Sequence, residues 1–105
     1  MMTEPKKKID AVKADAWFVY ILRCSHGSLY TGVTTDVIRR SEQHNAGTAS
    51  RYTRSHLPVR VEYQEPHASR SSALKREWTI KAMTRAEKES LIRKAAQRRR
   101  RRWPK

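Results

Sequence analysis

A chain of 105 residues with 37% hydrophobic and 32% charged residues has room for one small core and one domain. Its formal charge of +14 at pH 7 points to polyanions as partners and away from basic ones. A single cysteine, Cys24, excludes an internal disulfide and a cysteine-based zinc site.

The apolar residues concentrate between Trp17 and Ile92, so the expected folded unit is 17–92, with a flexible arm over 1–16 and a basic tail over 93–105. The arm is polar and aperiodic and lacks the apolar stretch of a signal peptide. Trp17 to Arg23 is the strongest strand signal. Trp17, Val19 and Ile21 would lie on one face and Phe18, Tyr20 and Leu22 on the other, and a strand apolar on both faces is expected at the centre of its sheet. Ser25 to Ser28 reads as a turn, with Gly27 able to take positive φ. Leu29 to Val33 is the second strand of a hairpin, and Gly32 inside it marks a bulge or a close approach to the backbone.

Thr34-Thr35-Asp36 has the character of a helix start, and the helix should run to about Asn45 with Gly47 as its stop. Gly47 to Leu57 reads as a polar loop carrying Arg51, Tyr52, Thr53 and Arg54. Val59 to Tyr63 alternates as a third strand behind Pro58. Ser71 or Ser72 is expected to cap a helix over Ala73–Met83, packed through Leu74 and Trp78. Thr84-Arg85-Ala86-Glu87 has the capping-box pattern for a last helix, packed through Leu91, Ile92 and Ala95. The order β-β-α-β-α-α predicts an α+β fold, a small antiparallel sheet flanked by helices.

Charge is uneven along this layout. Residues 1–15 carry +1, residues 16–92 carry +5, and residues 93–105 carry +8 with no acid at all. A run such as Arg98, Arg99, Arg100, Arg101 and Arg102 repels itself and should not fold alone. It can neutralise phosphates and release counterions, giving salt-dependent and sequence-blind affinity for nucleic acid. No apolar run is long enough to span a membrane and the tail lacks an apolar face, so a cytoplasmic protein without a membrane partner is expected.

Phosphodiester hydrolysis needs a group to take a proton from water, a cation to offset charge on the phosphoryl group, and help for the leaving oxygen. Tyr20 and Tyr30 lie on adjacent strands and can bring their hydroxyls to one side of the sheet, although strand tyrosines are more often core aromatics. Arg40 and His44 share a helix face, with Arg39 pointing elsewhere. An arginine grips phosphate in a two-pronged way that lysine cannot. Glu77 sits beside the expected packing stripe, within reach of Lys81; a lone carboxylate suits Mg²⁺, which keeps most of its waters. The stretch Arg51-Tyr52-Thr53-Arg54 can track a phosphate backbone and stack one base.

In order and spacing, Phe18-Val19-Tyr20, Tyr30-Thr31-Gly32, Arg40, His44 and Glu77 resemble the GIY-YIG nuclease superfamily. The resemblance covers about Trp17 to Ile92 and is strongest to small stand-alone bacterial members, through LYTGVTTDVIRRSEQHN and RYTRSHLPV. Arg40 stands eight positions after Gly32, which matches the family's arginine and selects it over Arg39. The resemblance implies a three-stranded antiparallel sheet with helices. It implies that Tyr20 is the general base or its relay, that Tyr30 positions water or phosphate, and that Arg40 stabilises the phosphoryl group. It further implies that His44 assists the proton relay and that Glu77 holds Mg²⁺ or Mn²⁺; no organic cofactor is implied. For Tyr20 to act as a base, Arg40 and a cation should lower its pKa. Val33 replaces a lysine that many relatives carry after the glycine, and Glu89-Ser90 stand where many carry an asparagine.

The expected function is a divalent-metal-dependent endonuclease on DNA in preference to RNA, with damaged or branched structures in repair as candidate substrates. The alternative is a nucleic-acid-binding module with the same fold and weak or no cleavage. Oligomeric state is left open by these observations.

Overall fold

The computed structural model describes residues 16–102, so the arm expected over 1–16 lies outside the described residues but for Ala16, as do the last three residues of the tail. Strands β1 (Trp17–Arg23) and β2 (Leu29–Thr34) form the hairpin. Gly27 turns the chain at φ +98°, where a side chain would be strained. A third strand, β3 (Arg60–His67), pairs with the other edge of β1, and all neighbours are antiparallel in the order β2-β1-β3. The double-sided apolar strand is therefore central, as its pattern predicts.

Each face of β1 meets its own helices. Val19 and Ile21 join Tyr63, Ala73, Ile80 and Ile92 on one side, and Tyr20 and Leu22 join Cys24, Val37 and Val59 on the other. β3 is longer than the expected Val59–Tyr63 and runs through Pro66, which an edge strand tolerates because one side of it needs no ladder donors. Its alternation is also broken. A register shift between Ile21 and Leu22 sets Tyr63 opposite Ile21 but Val61 opposite Leu22, so the two side chains serve opposite faces.

Helix α1 (Val37–Asn45) starts at Asp36, whose carboxylate accepts the Arg39 N–H at 3.1 Å. It stops before Gly47, at φ +81°. Asn45 then acts as a backbone mimic: it donates to the Val59 carbonyl at 2.9 Å and accepts the Val59 N–H at 2.7 Å, fixing the entry to β3. The segment expected as a plain loop holds one turn of helix, α2 (Arg51–Arg54), capped by the Ser50 hydroxyl. Four residues are too few to show a period, and the serine cap is the local cause of the turn.

Helix α3 (Arg70–Lys81) begins earlier than expected because Ser69, not Ser71 or Ser72, is the cap. Its packing face also differs. Ala73 and Ile80 are buried, while Trp78 is 75% exposed. Small Ala73 lets α3 approach β1 and β2 closely, an approach that an indole on the same stripe would hold open. Glu77, four residues after Ala73 and three before Ile80, consequently lies on the inward stripe itself.

Helix α4 (Arg85–Arg102) opens with the expected capping box: Thr84 N–H donates to Glu87 at 2.8 Å, and Glu87 N–H donates to the Thr84 hydroxyl at 3.1 Å. Leu91, Ile92 and Ala95 pack as expected. The helix does not stop at Ile92 but continues through the basic run. A helix already nucleated propagates cheaply, arginine is a good helix former, and cations near a helix C-terminus complement its dipole. Among the described residues no helix is long and apolar enough to cross a membrane.

Candidate active site

Tyr20 points from the middle of β1 toward α1 and is only 2% exposed. Its place is made by Gly32, its partner across the ladder. A Cβ on Gly32 would lie 2.6 Å from the Tyr20 hydroxyl, a separation that side chains do not adopt. The close approach expected at Gly32 is thus made by Tyr20 itself. Tyr30 stands two residues earlier on β2 and, opposite Leu22, on the same sheet face.

His44 joins the two tyrosines. Its ring meets Tyr20 edge-on with centroids 6.0 Å apart and Tyr30 at 5.1 Å. His44 Nε2 lies 2.9 Å from the Tyr20 hydroxyl and Nδ1 lies 2.7 Å from the Thr53 hydroxyl. Thr53 in turn donates to the Ser50 carbonyl at 3.3 Å. A carbonyl only accepts, so one assignment satisfies every group: Thr53 donates to Ser50, His44 Nδ1–H donates to Thr53, and Tyr20 donates to a bare Nε2. His44 and Thr53 are both fully buried. Thr53 therefore cannot meet nucleic acid as expected of its loop. It sets the orientation of His44.

Burial decides the proton affinities. It lowers His44 to about 4, with the positive charge of Arg40 adding to the effect, so the ring is neutral at pH 7. Burial also raises Tyr20 to about 12; the nearby Arg40 guanidinium pulls downward, while Tyr30 and the charge of Glu77 push upward. The expected lowering of Tyr20 by Arg40 is present but is outweighed by desolvation. These influences also show that Arg40, Tyr30 and Glu77 all lie within electrostatic reach of the phenol.

Arg40 donates to Gln43 at 3.0 Å, which steadies the guanidinium. With Gln43, Trp17 and Val33 it lines an open pocket of about 210 Å³. Arg39, expected to point elsewhere, lines the same pocket. Glu77 is 18% exposed and pairs with Lys81 at 3.2 Å. Among the described residues no group of three or more His, Cys, Asp or Glu side chains could hold a metal. A single inward carboxylate still fits a cation that keeps most of its own waters.

Arg51, Tyr52 and Arg54 are exposed on α2, where they can meet a ligand. Arg98, Arg99 and Arg100 are exposed on the outer part of α4. Glu89 has a structural task. It forms a two-pronged pair with Arg23 at 2.9 and 2.8 Å and contacts Arg85, tying α4 to the hairpin.

Known proteins share this domain. The model of the GIY-YIG catalytic domain matches residues 16–90. The chain belongs to the GIY-YIG catalytic-domain family. A UPF0213 protein of Staphylococcus aureus (strain Mu3) is 51% identical over 78 residues, covering 74% of this chain and 95% of the relative. A solved protein from E. faecalis is 37% identical, covers 77% of this chain and 86% of that one, and superposes with a TM-score of 0.54. A solved UPF0213 protein from Bacillus halodurans is 40% identical over 73% of this chain and 82% of that one, with a TM-score of 0.49. Membership of this family suggests a nucleic-acid substrate.

Proposed function

We propose that the protein is a divalent-metal-dependent endonuclease that hydrolyses phosphodiester bonds in DNA. The observation that carries this reading is the hydrogen-bonded line Tyr20–His44–Thr53 beneath Tyr30, with Arg40 beside it. An imidazole held between two hydroxyls, with Nε2 facing the Tyr20 O–H, is oriented to accept a proton from Tyr20.

Tyr30 has no hydrogen-bond partner among the described residues and is only half-buried, so its hydroxyl is free to position the attacking water or a phosphate oxygen. Tyr20 takes the water's proton while passing its own to His44 Nε2. The water oxygen bonds to phosphorus as the bond to the leaving oxygen breaks. Arg40 and Arg39 bind the phosphate across their shared pocket, with Arg40 offsetting the added charge. Glu77 would hold Mg²⁺ or Mn²⁺, releasing Lys81, and the cation supplies charge stabilisation at the leaving oxygen when bound. The Arg98–Arg100 stretch of α4 adds phosphate contacts of no sequence preference.

A second reading, a binding module that cuts weakly, is favoured by two ion pairs: Lys81 occupies the Glu77 carboxylate, and Glu89 is committed to Arg23. Nicking of supercoiled plasmid with Mg²⁺ or Mn²⁺ separates the two. The endonuclease reading expects nicking by the wild type and its loss in Glu77→Ala. Equal, background-level nicking by both proteins supports the binding module instead.

A further inference from the structure

Six rings run in sequence from the buried site to the hairpin turn. Beyond Tyr20, His44 and Tyr30, the column continues by stacking. Tyr30 and Tyr52 lie 6.4 Å apart at 15°, Tyr52 and His56 lie 4.6 Å apart at 30°, and His56 and His26 lie 4.1 Å apart at 25°. The outer end is open: His26 is exposed and Tyr52 is 43% exposed. Cations flank it. Arg51 and Arg54 are exposed on the same turn as Tyr52, and Arg85 reaches the hairpin turn, donating to the Gly27 carbonyl at 2.9 Å.

We propose that this column is a track for an unpaired strand, and that the substrate of the site is single-stranded or frayed nucleic acid in preference to intact duplex. The proposal rests on the phosphodiester reading above and narrows its substrate. Bases inside a duplex are covered by one another and offer only their edges, whereas an unpaired base offers a face that can extend the column by stacking on its exposed outer ring, His26. Such stacking is indifferent to sequence, because every base has a π face. Arginines beside the rings supply the charge complementarity that a strand's phosphates need. The column is also continuous with the site, since its inner ring is Tyr30.

The rings also pack the turn against α2: the Tyr52 hydroxyl donates to Ser28 at 2.6 Å, and Ser25 N–H donates to the His56 carbonyl at 3.0 Å. The test therefore needs variants that spare that packing. His26→Ala removes an exposed ring, and Tyr52→Phe keeps the ring but loses the hydroxyl. Anisotropy of the full chain with a labelled oligonucleotide of about 15 nucleotides, without metal, compares single strand with blunt duplex. The expected result is tighter binding of the single strand, weakened about 5-fold or more by His26→Ala and retained by Tyr52→Phe. A duplex bound as tightly as the single strand, with His26→Ala matching the wild type on both, overturns the track and leaves Glu77-dependent nicking intact. Binding of neither form by the wild type overturns the track and the nucleic-acid reading together.

Discussion

On one face of β1, Val19 and Ile21 meet Tyr63, Ala73, Ile80 and Ile92 in a largely apolar contact. On the other, Tyr20 and Leu22 meet Val37 and Val59 around the buried polar pair His44 and Thr53. Alternate residues of one strand thus serve unlike ends. The apolar face gains from area removed from water and is indifferent to direction. The polar face holds groups whose burial is tolerable only when each has a partner, and this requirement leaves them one arrangement. The unsatisfied buried side-chain atom among the described residues, the Thr31 hydroxyl, belongs to the apolar face, opposite Ile21.

If the faces are divided in this way, damage to each should read out differently. The largest stability effect is expected on the apolar face: Ile92→Ala should cost about 2–5 kcal/mol by chemical denaturation, while cleavage per folded molecule stays at the wild-type level. A comparable effect on the polar face should come from pH. His44 binds its proton less tightly folded than unfolded, so its contribution is fully present above pH 6.5 and fades as pH falls toward 4. That loss amounts to at most about 3 kcal/mol. An NMR titration of the ring should show a midpoint near 4; a midpoint at the ordinary histidine value removes the basis for this claim.

Gly32→Ala should come next, at about 1–3 kcal/mol, because the new methyl displaces the Tyr20 ring. It should also abolish the Tyr20–His44 hydrogen bond, visible as a changed His44 shift. The smallest effect runs in the opposite sense. Thr31→Val removes the orphaned hydroxyl and should raise stability by about 1 kcal/mol without altering cleavage. A loss of cleavage there would mean that Thr31 serves the site.

Much of this division was legible in the sequence. The apolar run on both sides of Trp17–Arg23 announces a central strand, and Arg40 and His44, four apart, announce one helix face. Tertiary packing decided what local pattern could not. Leu74 and Trp78 have the spacing of a core stripe, yet the close fit around Ala73 turns α3 so that Glu77 faces inward and Trp78 faces out. Val59, Val61 and Tyr63 alternate cleanly, but an extra residue in β3 at the register shift sends Val61 and Tyr63 to different faces. Thr53 looked like part of a basic loop because a contact nine residues away, to His44, leaves no mark on composition. The stacked rings Tyr52, His56 and His26 were hidden for the same reason. Proton affinity was the least legible of all, since burial overrode the charge of Arg40 at Tyr20.

The most direct test of the central claim, that Tyr20 and His44 on the polar face of β1 relay the proton in phosphodiester hydrolysis, is the single-turnover cleavage rate of Tyr20→Phe with Mn²⁺, measured beside its affinity for the same DNA. The relay predicts a rate lower by about 10²–10⁴-fold with affinity close to the wild type. Cleavage by Tyr20→Phe at the wild-type rate would contradict it.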